Sequence, residues 1–66
     1  MKLIVIPCER RDSTMRGIEM SYWCRDQGLV RDKDYDWAFS TQRKELHFRF
    51  FDHAETFATL FTLRWS

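Results

Sequence analysis

The chain has 66 residues and a mass of 8.1 kDa, with 44% hydrophobic and 32% charged residues. That length holds one domain, residues 1–66, and that balance excludes disordered, collagen-like and coiled-coil chains. Eleven Lys and Arg against ten Asp and Glu leave a formal charge of +1, so no overall field draws the chain to nucleic acid or to anionic membranes.

Met1 to Pro7 is an aliphatic, β-branched run closed by proline, which predicts a buried first strand. The apolar part, Leu3 to Ile6, is far shorter than a membrane span or the core of a signal peptide, so a soluble cytoplasmic protein is expected. Cys8 follows Val5-Ile6-Pro7 rather than small residues, which argues against lipidation. With Cys24 it makes two cysteines and no export signal, the usage of a reducing compartment.

Asp12 or Ser13 is the expected cap of a first helix of about fourteen residues that ends at Gly28. Gly17 in its middle costs about 1 kcal/mol relative to alanine, which implies close contact with the sheet or with the second helix. Val30 to Asp34 alternates in charge and reads as a surface connection.

Tyr35 to Phe39 and Glu45 to Phe50 alternate with period two about a turn at Gln42-Arg43, so they form a hairpin. Pairing them sets Phe39 opposite Leu46, Trp37 opposite Phe48 and Tyr35 opposite Phe50 on one face. The other face pairs Asp36 with Arg49, Ala38 with His47 and Ser40 with Glu45, including one ion pair worth under about 1 kcal/mol. Asp52 and Glu55 have capping-box spacing, and Ala54, Phe57, Ala58, Phe61 and Trp65 continue as the inner stripe of a second helix.

The order strand, helix, strand, strand, helix predicts an α+β two-layer sandwich. Its crossover is right-handed, its sheet runs 1-3-2, and both helices cover one face. This arrangement resembles a ferredoxin-like split βαβ fold cut short before its fourth strand. Strand one is then an open edge carrying Leu3 and Val5, and such an edge invites a second copy of the chain or a strand from a partner protein. The competing reading is a strand that is aliphatic only because helix one covers one of its faces.

Each remaining candidate site has a simpler alternative. A helical wheel sets Trp23 on an exposed polar arc with Arg16, Glu19, Asp26 and Gln27, the placement of an anchor for a protein partner. The alternative turns the helix so that Met15, Ile18 and Tyr22 face the sheet and Trp23 flanks the core. Arg43, Lys44, His47 and Arg49, with Phe51, form a candidate nucleic-acid surface against the reading of a solvated sheet face.

Cys8 beside Arg10 and Arg11 has some features of an activated nucleophile, but Thr14 stands where a phosphatase loop needs arginine. Cys8, Cys24, His47 and His53 lack the close cysteine pair of a structural zinc site. No paired carboxylates, Ser-His-Asp set or glycine-rich phosphate loop assembles, so no catalysis, metal or cofactor is expected.

The ending Asp52-His53-Ala54-Glu55-Thr56-Phe57-Ala58-Thr59-Leu60-Phe61-Thr62-Leu63-Arg64-Trp65, with Trp23-Cys24 and Tyr35-Asp36-Trp37, resembles small accessory proteins of tailed bacteriophages. The resemblance spans the last two thirds of the chain. It implies a protein acting in the host cytoplasm by binding a host or phage protein, and it assigns no site residues. The sequence therefore points to a non-enzymatic protein-binding function, with nucleic-acid binding through the outer hairpin face as the alternative.

Overall fold

The computed structural model describes residues 1–65. The order is β1 (Lys2–Pro7), α1 (Arg10–Asp26), β2 (Tyr35–Ser40), β3 (Glu45–Phe50), a 3-10 turn (Asp52–Ala54) and α2 (Glu55–Trp65). The sheet is ordered β1-β3-β2, with β3 antiparallel to both neighbours. The β2–β3 register is the one that the period-two alternation requires: Tyr35 opposite Phe50, Trp37 opposite Phe48, Phe39 opposite Leu46. Residues 41–44 close the hairpin, where Lys44 at φ 55° donates its N–H to the Ser40 carbonyl at 2.8 Å.

Both helices lie over the aromatic face. The core joins Ile6, Tyr35, Leu46, Phe48 and Phe50 of the sheet to Met20 and Cys24 of α1 and to Ala58 and Phe61 of α2. Phe61 is wholly buried, with its ring 4.7 Å from Phe48, 5.4 Å from Phe50, 5.0 Å from Trp65 and 5.7 Å from Trp23. Burying one such ring contributes about 1.5–3 kcal/mol, so this cluster is the main cohesive element of a small domain.

The first helix begins at Arg10, ahead of both expected caps. Extended Glu9 is the N-cap and makes no side-chain cap bond. Asp12 sits within the first turn, where its charge favours the helix dipole, and the Ser13 hydroxyl donates to the Arg10 carbonyl at 2.8 Å. Gly28 ends the helix as expected. At φ 86° it donates its N–H to Arg25 at 2.9 Å, while the Leu29 N–H reaches the Cys24 carbonyl at 3.1 Å. This is a Schellman ending, in which glycine takes the left-handed position at no steric cost and Leu29 tucks into the core.

The buried face of α1 is Ser13, Gly17, Met20 and Cys24. Met15 and Tyr22, which one rotation of the helix would set against the sheet, are 70% and 54% exposed. Small residues allow the backbone to approach closely: a Cβ on Gly17 would stand 2.3 Å from the Trp37 ring. The close contact expected of Gly17 is therefore with the sheet.

The second helix lacks the expected capping box. Asp52 opens a 3-10 turn instead, and both Asp52 and Glu55 direct their carboxylates to the Met1 amino group. The N-cap of that turn is Phe51, so Asp52 lies inside the turn and is not in the capping position that the box requires.

Candidate functional site

An antiparallel ladder alternates residues whose N–H and C=O face the partner strand with residues that face away. The Cys8 N–H donates to the Lys44 carbonyl at 3.0 Å, which continues the β1–β3 register and assigns the even residues of β1 to β3. Leu3, Val5 and Pro7 therefore direct their main-chain groups to the free edge. Among the described residues, no group bonds to the main chain of Leu3 or Val5 on that side. Their side chains, on the sheet face away from the helices, are 50% and 44% exposed.

The opposite edge of the sheet differs. The Phe51 N–H donates to the Asp34 carbonyl at 3.0 Å, so Tyr35, Trp37 and Phe39 face outward from β2. The Tyr35 carbonyl accepts from the Asp32 N–H at 2.6 Å, helped by the left-handed Asp32 at φ 68°. Arg31 forms a parallel bridge to Tyr35, and its Nη2 donates to the Trp37 carbonyl at 3.0 Å. The Trp37 N–H donates to the Asp36 carboxylate at 2.8 Å. The 31–36 segment thus folds back on β2 and closes most of its edge, as natural sheets do to prevent strand addition. The stretch read as a plain surface connection is an edge cap.

This cap accounts for the charge pairing. Asp36 lies opposite Arg49 as the register requires, but its carboxylate reaches Arg31 Nε at 3.2 Å instead of forming the expected cross-strand ion pair. Partial burial pushes the Asp36 carboxyl up, and the Trp37 amide and Arg31 outweigh it, holding the group below the usual carboxylate range. The Val30 amide at 2.7 Å holds the Asp34 carboxyl low, with His53 at 2.6 Å adding to the effect. A depressed folded pKa contributes stability that is complete above the ordinary carboxylate range, near 4, and is lost as pH falls through the depressed value. The urea midpoint is therefore expected to fall as pH drops from about 5 to about 2, less steeply in Asp34→Asn. An identical slope in the variant would contradict this assignment.

Beside the free edge of β1 lies a groove that runs the length of the strand. Its far wall is formed by Ala58, Thr59, Thr62, Leu63 and Trp65 of α2. Leu63 is 74% exposed there, and Leu60 is also exposed on α2. The sequence pattern gave no sign of this wall, because Leu60 and Leu63 lie outside the inner stripe of Phe57, Phe61 and Trp65.

Trp23 is half-buried, not exposed. Its indole packs edge-on against Phe61 and Trp65, each at 5.7 Å, so it flanks the core while Arg16 and Glu19 remain in solvent. A second apolar region lies along the outer side of α1, where Ile18, Tyr22 and Val30 line a groove with Arg25 and Arg31.

The hairpin residues divide between two places. Arg43 and Lys44 are exposed in the turn, and His47 and Arg49 lie on the outer sheet face beside Val5 and Leu3. His47 Nε2 lies 3.0 Å from Glu45. Phe51, read as part of the wet face, falls after the end of β3 and is half-buried.

Both cysteines are free and buried, and burial pushes the Cys24 thiol up to about 12. Among the described residues no group of His, Cys, Asp and Glu is arranged to hold a metal, and no helix is long and apolar enough to cross a membrane. Comparison with models of protein families, with curated proteins and with solved structures found no match.

Proposed function

We propose that this chain is a small non-enzymatic binding protein that accepts an extended segment of protein on the free edge of β1. The reading rests on one contrast: β2 spends Asp32, Arg31 and Asp36 on closing its edge, while β1 leaves the main chain of Leu3 and Val5 open between exposed apolar side chains. Main-chain bonds supply affinity in strand addition, and pockets beside the edge supply selectivity. The groove against α2 is suited to that second role. The resemblance of the closing helix to small phage proteins supports a bacterial setting, with a host or phage protein as the partner.

Val5→Pro is the discriminating variant. It removes an outward N–H and leaves the ladder to β3 intact, a position where strands tolerate proline. Tagged protein incubated with nuclease-treated bacterial lysate and an untagged copy of the chain is expected to retain one protein, the copy or a lysate component, at near-equal stoichiometry, and Val5→Pro is expected to lose it. Retention unaffected by Val5→Pro would contradict the reading.

Nucleic-acid binding through Arg43, Lys44, His47 and Arg49 is the second reading. These residues share the outer face and turn with Asp36 and Glu45, and the sheet's aromatic rings lie under the helices, which leaves little for bases to stack on. Recovery that requires nucleic acid and falls steeply with salt would favour it.

A further inference from the structure

We infer that the strand accepted by β1 is β1 of a second copy, paired antiparallel about a two-fold axis at Ile4. The inference rests on the edge-binding reading above and specifies its occupant. The edge offers two residues with both an N–H and a C=O facing outward, Leu3 and Val5, and then Pro7, which has no N–H. Two-fold pairing permits only a few registers. Centring on Val5 would set Leu3 against Pro7 and leave the Leu3 carbonyl of each copy without a donor, and centring on Leu3 would set Val5 against Met1, whose amino group is held by Asp52 and Glu55. Centring on Ile4 sets Leu3 against Val5 of the other copy twice over, so that every outward donor and acceptor of both residues is used, in four bonds.

The side chains fit the same axis. No charged residue lies between Leu3 and Ile6, and Lys2 falls opposite Ile6 of the other copy, which sends the two lysines to opposite ends of the seam. With a net charge of +1 the two copies repel each other little. On the helix side the seam runs along the groove walled by Thr59, Thr62 and Leu63, so the two α2 helices flank it and cover the exposed Leu63. The result is one six-stranded sheet, ordered β2-β3-β1-β1-β3-β2, whose outer edges are the two capped β2 strands. A closed isologous dimer of this kind leaves no open edge of the β1 type and does not propagate.

The test combines light scattering, amide exchange and disulfide mapping on the full chain. The wild type is expected to show twice its mass of 8.1 kDa, and Val5→Pro is expected to be monomeric with an unchanged circular-dichroism spectrum. Of the single variants Leu3→Cys, Ile4→Cys and Val5→Cys, only Ile4→Cys is expected to oxidise to a covalent dimer. Its Cα atoms meet at about 4.5 Å, whereas the other two pairs are diagonal at about 7–8 Å, too far to bridge. A dimer that survives Val5→Pro, or that cross-links through Leu3 or Val5 instead, overturns the inference. A monomer with fast-exchanging Leu3 and Val5 amides overturns the dimer and leaves the edge open to a foreign strand. A monomer with those amides protected overturns both readings.

Discussion

Phe61→Ala is expected to unfold the protein at room temperature, seen as loss of near-ultraviolet circular dichroism and of a cooperative melting transition. Phe61 is fully buried and touches rings from α1, β3 and α2 together: Trp23, Phe48, Phe50 and Trp65. Truncating a buried phenylalanine costs about 3–5 kcal/mol, because the surrounding rings cannot close the cavity. A core in a domain of this size supplies about 3–5 kcal/mol in total, so the loss matches the whole stability. Phe61→Leu retains most of the volume and is expected to remain folded with a lower melting temperature. A cooperative transition for Phe61→Ala near the wild-type temperature would show that the ring cluster is not the main cohesive element.

The second large effect is expected at Gly17. In most helices Gly→Ala is stabilising by about 1 kcal/mol, through helix propensity. Here the sign reverses, because the new methyl would lie 2.3–2.4 Å from two carbons of the Trp37 ring. That ring has little freedom to yield: it stacks on Phe48 at 5.6 Å with an interplanar angle of 8°, and the Arg31 guanidinium lies over it at 5.0 Å. Overpacking costs typically about 1–3 kcal/mol, which outweighs the helical gain and leaves a net loss of about 1 kcal/mol. That corresponds to roughly 4–8 °C in a domain this small. Because the displaced group is an indole, tryptophan fluorescence should shift in the same variant. A raised melting temperature would show that Trp37 moves aside freely.

The sheet was legible in the sequence because its residues alternate. Tyr35, Trp37 and Phe39 against Leu46, Phe48 and Phe50 admit one register, since a slip of one residue would send every ring to water. The strand order followed from element order, and with it the open edge of β1. Helix α1 was less legible, because the face it buries is Ser13, Gly17, Met20 and Cys24, too small and polar to register as an apolar stripe, while Met15 and Tyr22 stay in solvent. That mismatch left Trp23 open between an exposed arc and the flank of the core, and the structure puts it at the flank.

The cap on β2 depends on side chains folding back onto their own neighbours, and hydrophobic periodicity does not report such contacts. Its one local sign was the run of aspartates at positions 32, 34 and 36, residues that bond nearby backbone readily. The failed capping box was hidden for a related reason: the 3-10 turn takes in Asp52 and makes Phe51 the N-cap, a shift of one residue that spacing does not report.

Amide exchange at Leu3, Val5 and Phe39, followed by NMR as the protein is concentrated, tests the account most directly. Phe39 is the control: it faces outward from the other edge of the sheet and lies beyond the Arg31–Asp36 cap. The account predicts fast exchange at all three positions in dilute solution, then slowing at Leu3 and Val5 together on concentration, with Phe39 unchanged. Leu3 and Val5 amides that exchange slowly in a monomer, or that slow no more than Phe39 while the mass doubles, would contradict the claim that β1 carries the binding edge.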